Sequence, residues 1–266
     1  MTTTAAAPAK NELLEAVTEV ARIAGDAALR HFRRGVAVEW KTDGSPVTIA
    51  DREAEQAARE WIGRRYPDHG ILGEEQGETG AGSKYRWIVD PIDGTKTFVR
   101  GVPLWGTLVA IAMGEEVVAG AAYFPAVGEM IAAASGAGCW SNGARCQVSS
   151  VATLADATVL TTDERFRQTP QHLEGWRSLA ARSAVARSWG DCYGYLLVAT
   201  GRAEVMVDGI VGPWDTAALY PIITESGGVF TDWSGRATGF GGSAIATNAA
   251  LAREARTILG AGVTRA

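Results

Sequence analysis

The residues with the most chemical content lie in Trp87-Ile88-Val89-Asp90-Pro91-Ile92-Asp93-Gly94-Thr95. Trp87, Ile88 and Val89 form an apolar, β-rich run that reads as the end of a buried strand. Pro91 has no N–H to donate and is expected to stop the ladder. Asp90 and Asp93 then sit in a tight turn at the strand's mouth, where Gly94 lets the backbone bend. Two carboxylates this close repel unless a cation lies between them. The residues after Gly94 read as a short helix, so Gly94 and Thr95 offer backbone N–H groups to an anion. A cation site beside an anion site is what phosphate-ester chemistry requires. Two further acids fall at expected element ends: Glu74 in Gly73-Glu74-Glu75, and Asp215 after Trp214. Carboxylates are hard oxygen donors that suit Mg²⁺ and not Zn²⁺. The chain has only His31, His69 and His172, and no His or Cys cluster competes for that role.

These acids need elements to hold them. Leu13, Val17, Val20, Ala24, Ala28 and Phe32 recur at helical spacing and predict a first amphipathic helix ending near Gly35. Thr48 and Asp51 have capping-box spacing, so a second helix starts near Ile49. His69 to Glu75 reads as a short strand ending in acids, followed by a Gly- and Glu-rich loop, Gln76 to Lys84. Leu104 to Met113, Val117 to Phe124 and Glu129 to Ala134 predict an antiparallel meander. Past residue 150, strands and helices alternate. Strands are expected at Thr158–Thr162, Glu204–Val207, Val229–Asp232 and Ala244–Thr247. Helices are expected at Gln171–Ala184, Asp191–Thr200 and Trp214–Ser226, with a last one from Asn248 through Ile258. The expected organisation is a flexible tail over 1–10, an α+β sub-domain over 11–150 with the acidic signature, and an α/β sub-domain over 151–266. The two sub-domains share a cleft.

Bulk properties narrow the partners. A net charge of -5 argues against general nucleic-acid binding, while a phosphorylated small molecule stays open because bound metal outweighs the overall charge. No apolar run approaches a membrane span. Cys139, Cys146 and Cys192 are odd in number and form no CxxC pair, which fits a reduced, cytoplasmic compartment.

Asp-Pro-Ile-Asp-Gly-Thr after an apolar strand resembles the central signature of the inositol monophosphatase family, Mg²⁺-dependent and lithium-sensitive phosphatases. The likeness covers essentially the whole chain after the tail. It implies a layered α-β-α-β-α sandwich of the sugar-phosphatase type. It implies metal ligands at Glu74, Asp90, Asp93, Asp215 and the carbonyl of Ile92, holding two or three Mg²⁺ per site. It implies that Glu74 and Thr95 take and aim the proton of an attacking water, and that the amides of Gly94 and Thr95 hold the phosphate. In such a site one metal would make hydroxide available near neutral pH, and a second would neutralise the phosphate and the leaving alkoxide. A homodimer is also implied.

One departure stands out. The family places an Asp two residues before an upstream Val-Thr, where this chain has Ser45; Asp43, two residues earlier, is the candidate to fill that role. Asp51 also matches a family acid and equally matches a helix cap. Gly94 to Leu108 and Trp189-Gly190-Asp191-Cys192-Tyr193-Gly194-Tyr195 are similar to the histidinol-phosphate phosphatases of this family. That likeness implies that Asp191 pairs with a substrate ammonium and that Asp208 holds the substrate. Trp105 is a candidate to stack on an imidazole, and Arg100 to contact substrate. Two rivals remain: Gly190 to Gly194 fits a cysteine nucleophile elbow, though no histidine follows His172 to activate it, and a non-catalytic phosphosugar- or metal-binding module.

Overall fold

A computed structural model describes residues 10–42 and 44–262. Of the expected tail, only Lys10 falls inside these bounds, and it opens the first helix; Asp43 lies outside the described residues. The first elements are α1 (Lys10–Leu29), the short ribbon β1 (Val38–Trp40) with β2 (Pro46–Thr48), and α2 (Ile49–Arg65). Then come β3 (Gly70–Gly73), β4 (Gly77–Thr79), β5 (Tyr85–Asp93) and α3 (Thr95–Phe98). The meander follows: β6 (Gly106–Met113), β7 (Glu116–Phe124), β8 (Glu129–Ala134), β9 (Gly138–Ser141) and β10 (Ala144–Arg145). The rest comprises β11 (Thr158–Thr161), α4 (Leu173–Arg182), β12 (Val185–Arg187), α5 (Asp191–Ala199), β13 (Val205–Asp208), α6 (Pro213–Thr216), α7 (Leu219–Glu225), β14 (Val229–Thr231), β15 (Ala244–Thr247) and α8 (Ala252–Leu259).

The strands form an eight-stranded sheet, β10-β9-β8-β7-β6-β5-β3-β4, and a five-stranded sheet, β12-β11-β13-β15-β14. Val17, Val20 and Ala24 of α1 pack with Val109 and Ile111 on one face of the large sheet. Its other face presents Ile88, Leu108 and Ala110 to Leu196 of α5 and Ile222 of α7, which also touch the small sheet through Met206 and Phe230. Trp176 and Leu179 of α4 and Leu259 of α8 cover the far face of the small sheet. This is the expected α-β-α-β-α layering. Alternation along β6 decides it, because odd residues face the outer helices and even residues the central layer.

Two local features differ from expectation. Pro91 does not end its strand: β5 continues to Asp93 through a register shift between Asp90 and Asp93. A bulge needs no ladder donor at that point, so proline is tolerated there. The expected helix Trp214–Ser226 is two pieces, α6 and α7. They press closely on the sheet, because Gly120 of β7 lies under the backbone of Ala218, which a Cβ would strike. Asp215 lies three residues before this contact, in α6, which neighbours β5 and β6.

Candidate active site

Asp90, Asp93 and Asp215 converge. Each offers a carboxylate oxygen, and these oxygens lie within 4.8 Å of one another, the one such cluster among the described residues. Asp90 is 1% exposed, and its Oδ1 accepts the N–H of Ile92 at 2.9 Å, which curls the bulge and leaves the other oxygen to the cluster. The N–H of Gly212 donates to Asp215 Oδ2 at 2.6 Å across the first turn of α6. The N–H of Cys192 donates to Asp93 Oδ2, so the start of α5 is docked on the central turn.

Glu74 reaches the same place from β3. Its N–H donates to the carbonyl of Val89 at 3.1 Å, beside Asp90. The turn it occupies is clamped by Glu55, a buried acid of α2 that accepts the N–H groups of Glu75 at 2.7 Å and Gln76 at 3.1 Å. Lys41 Nζ donates to Glu74 Oε1 at 2.8 Å and Glu75 Oε1 at 2.7 Å.

The electrostatics fit a cation. Burial first, then the charges of Glu74, Asp93 and Asp215, push the Asp90 carboxyl well above its ordinary range. Burial, with Asp191 and Asp215, does the same to Asp93. Asp215 is pushed up to about 6, again chiefly by burial. Burial of Lys41 opposes its charge, but Glu74 and Glu75 outweigh this and hold its ammonium above the usual range. Crowded, desolvated carboxylates of this kind are stabilised as anions by a divalent ion with oxygen preference.

Thr95 opens α3 after Gly94, whose φ of +89° explains the glycine. Thr95 Oγ1 donates to the Ile92 carbonyl at 3.0 Å and lies 3.4 Å from Asp51 Oδ1. Asp51 belongs to the cap of α2. Its Oδ2 accepts the N–H and hydroxyl of Thr48, each at 2.7 Å, as the cap of α2, while its Oδ1 faces Thr95. The N–H groups of Thr97 and Phe98 donate to the Gly94 carbonyl at 2.8 and 2.9 Å, which closes the first turn of α3.

Asp191 and Asp208 line a cavity of about 80 Å³ with Asp93, Thr162 and Asp215. Asp191 holds a φ of +49°, rare for a non-glycine residue. Its N–H donates to Thr162 Oγ1 at 2.8 Å, and its Oδ2 accepts Thr97 Oγ1 at 3.2 Å. Asp208 accepts the Tyr195 hydroxyl at 2.8 Å and the Thr162 N–H at 3.2 Å; burial pushes its carboxyl up to about 7. A second, wider cavity of about 530 Å³ adjoins at Thr162, Asp208 and Ile210 and runs to Lys96 and Phe166.

Two candidates fall elsewhere, and a third is at the site but closed off. Trp105 is 0% exposed on the outer face of the large sheet, its ring edge-on to Phe98 and tilted against Phe32, so it offers no face to a ligand. Strand parity places it there. Arg100 is exposed just past α3, outside the lining of both cavities. Cys192 is 0% exposed with its thiol pushed well up by burial, and it offers no nucleophile. Glu55 and Lys41 were not among the expected site residues. Glu55 carried a signal, since it shares the buried face of α2 with Asp51, Ala58 and Ile62.

Residues 9–261 match the model of the inositol monophosphatase family. The chain is 41% identical over 251 residues to the histidinol-phosphatase of Chlorobaculum parvum, covering 94% of this chain and 97% of that one. It is 40% identical over 230 residues to the histidinol-phosphatase of Mycobacterium tuberculosis, covering 85% and 88%. The fold is similar to that of the extragenic suppressor protein suhB from Bartonella henselae, with a TM-score of 0.88, 29% identity, and coverage of 93% and 98%. The inositol monophosphatase of Thermotoga maritima gives 0.84 at 30% identity, covering 94% and 97%. No helix among the described residues is long and apolar enough to cross a membrane. The chain belongs to the inositol monophosphatase family and is a phosphoric monoester hydrolase.

Proposed function

We propose that the chain is a Mg²⁺-dependent enzyme that hydrolyses L-histidinol phosphate to L-histidinol and phosphate, a step of histidine biosynthesis. We place it in the cytoplasm as a homodimer with its two sub-domains meeting near residue 150. The observation that carries the reading is the convergence of Asp90, Asp93 and Asp215 beside Glu74 and Thr95.

Glu74, Asp90, Asp93, Asp215 and the Ile92 carbonyl would hold the metal, with no sulfur or imidazole among the donors. Bound Mg²⁺ supplies Lewis acidity toward water and phosphate oxygens. Because Thr95 donates its own proton to Ile92 or Asp51, its lone pairs are free to accept a hydrogen from the attacking water. Asp51 and Glu74 are the acids within reach of that proton. The N–H groups of Gly94 and Thr95 hold the phosphate at the mouth of α3. Asp191 and Asp208 face the substrate ammonium, and the wider cavity beyond them has room for the imidazole.

The branch assignment draws support from the names of the relatives. It is tested by comparing kcat/KM on histidinol phosphate and inositol-1-phosphate. A preference for histidinol phosphate of at least about tenfold is expected from one paired charge in the pocket. Equal or reversed preference defeats the branch and favours an inositol or related sugar phosphate. No phosphate release from any ester with Mg²⁺ present would favour the binding module instead.

A further inference from the structure

Two of the three cysteines meet although their spacing hid it. β9 and β10 join through Asn142 and Gly143, with φ of +46° and +82°, a two-residue hairpin turn of the primed kind. Ser141 pairs with Ala144 and Trp140 with Arg145, so Cys139 falls opposite Cys146. The N–H of Cys146 donates to the carbonyl of Cys139 at 3.1 Å, and the sulfurs lie 3.4 Å apart. Directly opposed residues share one face of a ribbon, so nothing stands between the sulfurs. Cys139 is 1% exposed and Cys146 is half-buried at the surface.

We propose that Cys139 and Cys146 form a two-electron redox site that closes to an intrachain disulfide with a hydroperoxide as oxidant. The accessible Cys146 acts first; the sulfur–sulfur contact at 3.4 Å favours the Cys146 thiolate, and the same contact with burial holds the Cys139 thiol protonated. Its sulfur attacks one peroxide oxygen, the O–O bond breaks, and a sulfenic acid and hydroxide form. Cys139 then gives up its proton and attacks the Cys146 sulfur. The S–O bond breaks and the second oxygen leaves as water. Two thiols have supplied two electrons, and hydrogen peroxide has become two waters. A closing movement of about 1.4 Å brings the sulfurs to bonding distance. Cys192 takes no part, being sealed beneath Gly106 and Phe124.

The bond would act as a staple. Two residues after Cys146, the N–H of Val148 donates to the carbonyl of Ser226 at 3.0 Å, just past α7. The disulfide therefore fixes the point where the chain leaves the large sheet. The experiment treats the full chain with a small excess of hydrogen peroxide, counts free thiols and maps tryptic peptides. Cleavage after Arg145 separates the two cysteines unless a bond joins them. Free thiols should fall from three to one, with a Cys139–Cys146 link that dithiothreitol reverses. The oxidised chain should melt about 2–4 °C higher, and Cys146→Ser should not respond. Three surviving thiols, consumption of Cys192, a link between chains or a lower melting point would each overturn the proposal.

Discussion

Thr95 Oγ1 lies 3.4 Å from Asp51 Oδ1, although the two residues belong to different elements and α2 uses the other oxygen of Asp51 as its cap. One carboxylate thus fixes the helix and faces the Thr95 hydroxyl, the group proposed to aim water. Two losses should separate by variant. Thr95→Val should lower kcat about 10²–10⁴-fold with an unchanged melting point, while Thr95→Ser keeps most activity. Asp51→Asn should lower both kcat and stability, the latter by about 1 kcal/mol for the weakened cap. Steady-state kinetics beside thermal melts check this, and a fully active Thr95→Val enzyme would remove the relay.

The close approach of Ala218 to Gly120 gives a second expectation. Gly120→Ala pushes α6 and α7 off the sheet and takes Asp215 with them. The Mg²⁺ concentration for half-maximal activity should rise about 10–100-fold, with stability reduced by about 1–3 kcal/mol. Unchanged Mg²⁺ dependence at reduced stability would show that Asp215 is not positioned through this contact.

The acids also set a pH dependence for the metal-free fold. Burial raises Glu75 and Asp208 to about 7 and Asp215 to about 6. A carboxyl raised above its unfolded value binds more protons folded than unfolded, so stability falls as pH rises through the folded value. Burial holds His69 and His172 below their ordinary value, which acts only below about 6.5. Between pH 6.5 and 8 the chelator-treated protein should therefore lose about 2–4 °C of melting temperature, and Mg²⁺ should restore it at pH 8. A melting point that rises over that interval contradicts the crowding of these acids.

Much of this arrangement was legible in residue order. The apolar periodicity of α1, the alternation of β6 and the capping pair Thr48 and Asp51 each express local physics that folding does not override. The acidic turn was legible as chemistry but not as geometry, because whether Pro91 ends a strand or sits in a bulge depends on the partner strand. Trp105 could be read as core or as a stacking partner for a related reason: an aromatic beside a strand faces one of two layers, and only the register decides that it is core. β1 and β2 escaped notice because each has three residues, and β1 is exposed throughout. Glu55 and Lys41 act through loops near them in space and distant in sequence, which residue spacing does not record.

The central claim is that buried, mutually repelling carboxylates exist to hold a divalent ion for ester hydrolysis. Asp90→Asn removes one charge from the cluster while keeping its shape. Phosphate release from histidinol phosphate should be measured across a Mg²⁺ titration for both proteins, with the metal-free melting point of each. The account predicts that Asp90→Asn lowers turnover at least about 10³-fold and melts no lower than wild type, since repulsion is relieved. Wild-type turnover in Asp90→Asn, or equal wild-type activity with and without Mg²⁺, would contradict it.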